Sequence, residues 1–148
     1  MTPVQVGLVP ARMACLAQAI ALVETFCHER GVPRRDALRM SLVVEELFTN
    51  TVVHGHGGDS DAPVRIGLGV DPLHLELIYE DTAPPFDPLR EVTRSKSELE
   101  RGVAERQVGQ LGIALVAGMA VRAGYLREDG WNKLRLTLQR QAPDGADP

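Results

Sequence analysis

The chain has 148 residues, 44% of them hydrophobic and 24% charged, the proportions of one globular domain with enough apolar mass for a core. A formal net charge of −4 excludes the basic surface that a general nucleic-acid binder needs, and no apolar run reaches the length of a membrane span. The two cysteines, Cys15 and Cys27, fall in one predicted helix about 18 Å apart, too far for a disulfide, and read as core residues of a cytoplasmic protein.

In chain order, "VQVGLV" (residues 4–9) predicts a short strand ended by Pro10. Over 11–30, Ala14, Leu16, Ala17, Ile20, Ala21, Val23 and Phe26 make a broad apolar stripe, which predicts a helix stopped by Gly31. Pro33 opens a second helix, where its fixed φ and missing N–H cost nothing. Met40, Val43, Val44 and Leu47 give that helix its buried face. It runs out in the turn-rich stretch "HGHGGDSDAP". Next, "VRIGLGV" (64–70) and "LHLELIY" (73–79) alternate apolar with polar or small residues, a hairpin with one buried face. The period has switched from helix to strand, so the opening helices pack on a sheet.

Residues 81–110 hold three prolines, two glycines and many charges, a loop of unusual length whose usual task is that of a lid. "LGIALVAGMAV" (111–121) predicts an apolar helix buried on several sides. "GYLRE" and "WNKLRLTLQR" form a last hairpin about Asp129-Gly130, a strong turn signal. Residues 1–140 make a single domain, and 141–148 a disordered tail.

The chain has no Walker-A loop, no H-E-x-x-H, no C-x-x-C and no G-x-S-x-G. Three pieces stand out instead. Glu46 and Asn50, at i and i+4, share one helix face in apolar company, so that face is either solvated or opens into a cleft. Asp81 leaves a hydrophobic strand into Ala83-Pro84-Pro85, where a carboxylate could accept from the amino group of a purine or simply form a turn. Gly109 and Gly112 flank the start of the 111–121 helix, whose free N–H groups suit an anion, or else a close packing contact.

In this order and spacing the pieces resemble the Bergerat-fold ATPases, the superfamily of gyrase B, histidine kinases and MutL. The match is best to its short bacterial branch, the anti-sigma factor serine/threonine kinases. "EELFTNTVVHG" resembles that family's N-box, "DTAPPFDP" (81–88) its first glycine box and "GQLGIALV" (109–116) its second. The similarity runs over about residues 4–140. It implies a two-layer α/β sandwich, with a mixed, mainly antiparallel sheet and three helices on one face.

The resemblance also implies roles. Asn50 would ligate Mg²⁺ through its amide oxygen, and Glu46 would act as the catalytic base on the attacking hydroxyl. Asp81 would accept from adenine, with Ala83 beside it. Gly109, Leu111 and Gly112 would hold the phosphates of ATP, and residues 87–108 would close over them. The implied substrate is a small anti-sigma factor antagonist protein, with a sigma factor as a further partner and a homodimer formed through the first strand. The alternative is a non-catalytic module that sequesters a regulator. One departure bears on both readings. The family's first box has glycine where this chain has Ala83; a positive φ there would cost about 1–2 kcal/mol, whereas a negative φ would let the methyl group pack.

Overall fold

The computed structural model describes residues 5–90 and 120–141. Strand β1 (Gln5–Pro10) leads through a 3-10 turn at Met13–Cys15 into helix α1 (Leu16–Glu29). Helix α2 (Arg34–Asn50) follows and continues into a π-helical turn, Thr51–Gly55. Strands β2 (Pro63–Val70), β3 (His74–Asp81), β4 (Ala120–Glu128) and β5 (Trp131–Gln139) complete the order. The sheet runs β1-β2-β3-β5-β4, and α1 and α2 pack together on one face of it. This is the α/β sandwich that the sequence predicts, with every pairing among the described strands antiparallel rather than mixed.

The predicted boundaries shift in physically simple ways. Pro33 is the residue before α2, not its first, because its ψ of 148° is still extended. Asp129 (φ 53°) and Gly130 (φ 84°) make the two-residue turn between β4 and β5 with both φ values positive, the geometry whose twist matches paired strands. Ala120 and Val121, read as the end of an apolar helix, belong to β4. The rest of that helix, 111–119, lies outside the described residues, as do 91–108 of the predicted lid and 142–148 of the predicted tail.

Strand alternation sets the core. Val64, Ile66 and Leu68 of β2, Leu75 and Leu77 of β3, and Leu134, Leu136 and Leu138 of β5 all point at the helices and are buried. Phe26, Val23 and Ala19 of α1 and Val43, Val44, Leu47 and Phe48 of α2 meet them. Each large side chain so buried contributes roughly 1.5–3 kcal/mol. The opposite face is polar at its centre, where Glu76 pairs with Arg135 (2.9 Å) and Glu80 lies between Arg65 (3.5 Å) and Lys133 (3.8 Å).

One clamp fixes how α2 crosses the sheet. Asp36, fully buried in the first turn, accepts from Arg39 Nη1 (3.0 Å) and from the backbone N–H of Gln141 (3.3 Å to either oxygen). Arg39 Nη1 also donates to the carbonyl of Gln139 (3.0 Å). The start of α2 is therefore tied to the last residues of β5. A 17-residue helix is about 26 Å long, so its other end is carried toward the opposite end of β5, where Asn132 pairs in register with Asp81 of β3.

Candidate active site

Glu46 and Asn50 lie on the last turns of α2, both half-buried, on a helix whose other side carries Val43, Val44, Leu47 and Phe48 in the core. Burial, helped by the adjacent charge of Glu45, pushes the Glu46 carboxyl above its ordinary value. The amide nitrogen of Asn50 is buried without a hydrogen-bond partner among the described residues. A buried unpaired amide costs about 1–3 kcal/mol, so this end of α2 is shaped for something other than its own stability.

The helix does not stop at Asn50. It widens into the π-turn, where the N–H groups of His56 and Gly58 reach back to the carbonyls of Thr51 (2.9 Å) and Val52 (2.8 Å). Such bulges concentrate at functional sites. Thr51, the first residue of that turn, faces the end of β3. The Thr51 hydroxyl lies 3.0 Å from the carbonyl of Leu47, 2.6 Å from the Tyr79 hydroxyl and 2.8 Å from Asp81 Oδ2. All three side chains are buried, and burial raises the Tyr79 phenol far above its ordinary value, so it keeps its proton.

Asp81 is held from the other side by β5. Asn132 Nδ2 donates to Asp81 Oδ1 (2.8 Å) and also reaches the carbonyls of Ala83 and Pro84 (3.1 Å each). Asn132 Oδ1 accepts from the N–H of Phe86 (3.2 Å) and from the Tyr125 hydroxyl (2.5 Å). Ala83 N–H donates to Asp81 Oδ1 (3.2 Å), and Arg127 Nη1 donates to the Ala83 carbonyl (2.7 Å). The proline-rich loop after β3 is thus fastened to the β4–β5 hairpin at several points. Beyond it a helical turn starts at Pro88, capped by Asp87, whose Oδ1 accepts from the N–H of Leu89 (2.9 Å).

Ala83 carries no strain. Among the described residues Asp129 is the only non-glycine with positive φ, so Ala83 takes the packing alternative. Its methyl group is buried and faces the π-turn: a Cβ built on Gly55 would stand 2.8 Å from it.

The structure therefore brings Asn50, through its neighbour Thr51, into one assembly with Asp81 and Ala83, and sets Glu46 one turn back on the same helix. Gly109, Leu111 and Gly112 lie outside the described residues. Sequence reasoning missed Thr51, Gly55, Tyr79 and Asn132. For Asn132 a signal existed: the inward series Leu138, Leu136, Leu134 steps by two to that position. Tyr79 shares the face of Asp81 by the same rule. Thr51 had one as well, since it stands four residues after Leu47 on the buried face of that helix.

The donor set fits the groups that the fold family binds. A carboxylate offers about four lone pairs. Ala83 N–H and Asn132 take two on Oδ1 and Thr51 one on Oδ2, which leaves one on Oδ2 without a partner among the described residues. With its nitrogen buried, the Asn50 amide has its oxygen left to offer, a hard ligand suited to Mg²⁺.

Comparison with known proteins agrees. Residues 9–138 match the family model of the histidine kinase-like ATPase domain, and the chain belongs to that family. A serine/threonine-protein kinase, BtrW of Bordetella bronchiseptica, is 27% identical over 105 residues, 71% of this chain and 71% of that protein. Among solved structures, the SiaB-SiaC complex from Pseudomonas aeruginosa contains a chain that superposes with a TM-score of 0.54 at 14% identity, over 93% of this chain and 91% of that one. That likeness is one of fold. No helix among the described residues is long and apolar enough to cross a membrane.

Proposed function

We propose that this protein is an ATP-dependent serine/threonine protein kinase that phosphorylates a small antagonist protein in a partner-switching circuit. The observation that carries the reading is the joint between α2 and β3: Thr51, next to Asn50, bonds Asp81 Oδ2 at 2.8 Å, so the residues suited to a metal-bound phosphate and to a purine amino group share one rigid assembly. Membership of the histidine kinase-like ATPase family supports nucleotide chemistry, and the name of the Bordetella relative supports a serine or threonine acceptor. The SiaB-SiaC complex supports a protein partner for this fold.

In this reading Asp81 accepts from the adenine amino group, and the Asn50 oxygen holds Mg²⁺, which supplies charge neutralisation at the phosphates when bound. Glu46, whose carboxyl burial pushes above its ordinary value, takes the proton of the attacking hydroxyl. Gly109, Leu111 and Gly112 supply backbone N–H groups to the phosphates, and the segment up to residue 108 closes over them. β1, at one edge of the sheet with Val6 and Leu8 exposed, is the surface for a homodimer. A sigma factor is the competing partner, and the setting is the cytoplasm.

The test is incubation of the protein with Mg-ATP and candidate antagonist proteins, followed by mass spectrometry of the antagonist. Phosphate on a serine or threonine is expected, and Asn50→Ala abolishes it. Intact ATP binding with no phosphorylated serine or threonine in any candidate rejects the kinase assignment. It would leave the non-catalytic module.

A further inference from the structure

We propose that Thr51 and Tyr79 are positioning residues for base selection: their paired hydroxyls fix the last free acceptor direction of Asp81, so that the cleft prefers a purine bearing a 6-amino group to one bearing hydrogen or oxygen there. This rests on the nucleotide reading above and goes beyond it, because it assigns selectivity to a hydroxyl pair rather than to the carboxylate alone.

Counting protons gives the direction of the chain. The Tyr79 hydroxyl keeps its single proton and has one described partner, Thr51, at 2.6 Å; donation to Thr51 is the direction that leaves neither hydroxyl proton unpaired. Thr51 then has one proton of its own for two acceptors, the carbonyl of Leu47 at 3.0 Å and Asp81 Oδ2 at 2.8 Å. The shorter contact runs to Asp81. Donation from Tyr79 pins the Thr51 oxygen, and so the Thr51 proton, in one orientation. Two buried hydroxyls needing partners could satisfy each other and the Leu47 carbonyl alone. The additional contact to Asp81 is what that simpler arrangement does not require.

The effect on Asp81 is a matter of torsion. The terminal torsion of an aspartate is broad, so a carboxylate held through one oxygen only could swing. Asn132 and the Ala83 N–H hold Oδ1, Thr51 holds Oδ2, and the plane is fixed. One lone pair remains, at a fixed angle. A 6-amino group donates to it; a 6-oxo group sets acceptor against acceptor; a 6-hydrogen leaves it unpaired. Sites built on a buried acceptor reject ligands that fail to satisfy it far more strongly than sites built on shape.

The experiment measures binding of ATP, of purine riboside 5′-triphosphate (hydrogen at position 6) and of inosine triphosphate (oxygen at position 6). Wild type is compared with Thr51→Val, Thr51→Ser and the double variant Thr51→Val/Tyr79→Phe. Wild type is expected to prefer ATP to the 6-hydrogen analogue by about tenfold or more, the scale of one good hydrogen bond. Thr51→Val should lower that ratio several-fold by weakening ATP alone, and Thr51→Ser should restore it. The double variant leaves no orphaned hydroxyl, so it keeps the test open if Thr51→Val folds poorly, and it should show the same lowered ratio. General loosening of the fold would weaken all three nucleotides together and leave the ratios unchanged. Unchanged ratios in both valine variants overturn the proposal while leaving nucleotide binding intact. Equal binding of all three by wild type also overturns it. A wild type that binds none of them overturns the nucleotide reading itself.

Discussion

The Ala83 methyl group and the missing side chain of Gly55 occupy one space: a Cβ on Gly55 would lie 2.8 Å from that of Ala83, closer than real Cβ contacts come. The π-turn after α2 and the loop after β3 therefore touch backbone against methyl. Gly55 does not have a positive φ, so the constraint there is room rather than backbone freedom. Gly55→Ala is expected to overpack this contact and cost about 1–3 kcal/mol. The pair Gly55→Ala/Ala83→Gly moves the methyl from one wall to the other and should recover most of the loss. Thermal unfolding of the two variants measures it; a double variant no better than the single would show that the contact is not what separates them.

Asn132 is the hub that joins Asp81, the loop after β3 and the β4–β5 hairpin. Replacing it with alanine removes the donor to Asp81 Oδ1 and the acceptor for the Phe86 N–H, and it leaves Tyr125 without the partner that it has here. Each buried group left unpaired costs about 1–3 kcal/mol where water cannot enter. Asn132→Ala is expected to lose about 2–4 kcal/mol in urea unfolding and to weaken ATP binding by tenfold or more. Lys133→Ala, one residue on but on the opposite, partly exposed face, should change neither by much.

The strands and helices were legible because their periods are clean. The series Leu134, Leu136, Leu138 and the spacing of Val43, Val44 and Leu47 each admit one buried face. Glu46, Asn50 and Asp81 were legible as polar groups where that pattern called for apolar ones. What stayed hidden depends on contacts between distant segments. Thr51 meets Tyr79 and Asp81 across 28 and 30 residues, and Asn132 meets Asp81 across 51. No local pattern encodes such meetings. The fate of Ala83 was likewise undecided by its type, since packing or strain follows from a backbone angle that only the assembled loop fixes.

The two thiols should react differently. Cys27 is buried against α2, and burial first, then the charge of Asp36, pushes its thiol from 9.0 up to about 11. Cys15 is half-buried at the entrance to α1. Iodoacetamide at pH 8 is expected to label Cys15 in the native protein and Cys27 only after unfolding, as read by peptide mass spectrometry. The shift also has a sign. A thiol that holds its proton more tightly when folded favours the native state up to its unfolded value, and that contribution is lost as pH rises from about 9 to about 11. Cys27→Ala should lack that part of the alkaline decline.

Glu46 ties activity to stability in the opposite sense from most carboxylates. Its folded value lies above the ordinary 4.5, because burial and then Glu45 disfavour its charge. In the interval between those two values the native state binds more protons than the unfolded one, so stability falls as pH rises through it. Glutamine has the same shape and no charge. Glu46→Gln should therefore match wild type at a pH low enough to protonate Glu46 in both states, and exceed it in melting temperature once the pH lies above the folded value. If Glu46 is the base, the same change should lower phosphotransfer by about 10²–10⁴-fold while ATP still binds. The two readouts separate the candidate roles. A residue kept for the fold would destabilise when replaced, whereas one kept for chemistry at a cost to the fold gives a more stable and less active protein. Loss of melting temperature in Glu46→Gln above the folded value, with phosphotransfer retained, would remove Glu46 from the mechanism and return the cleft to Asn50 and Asp81 alone.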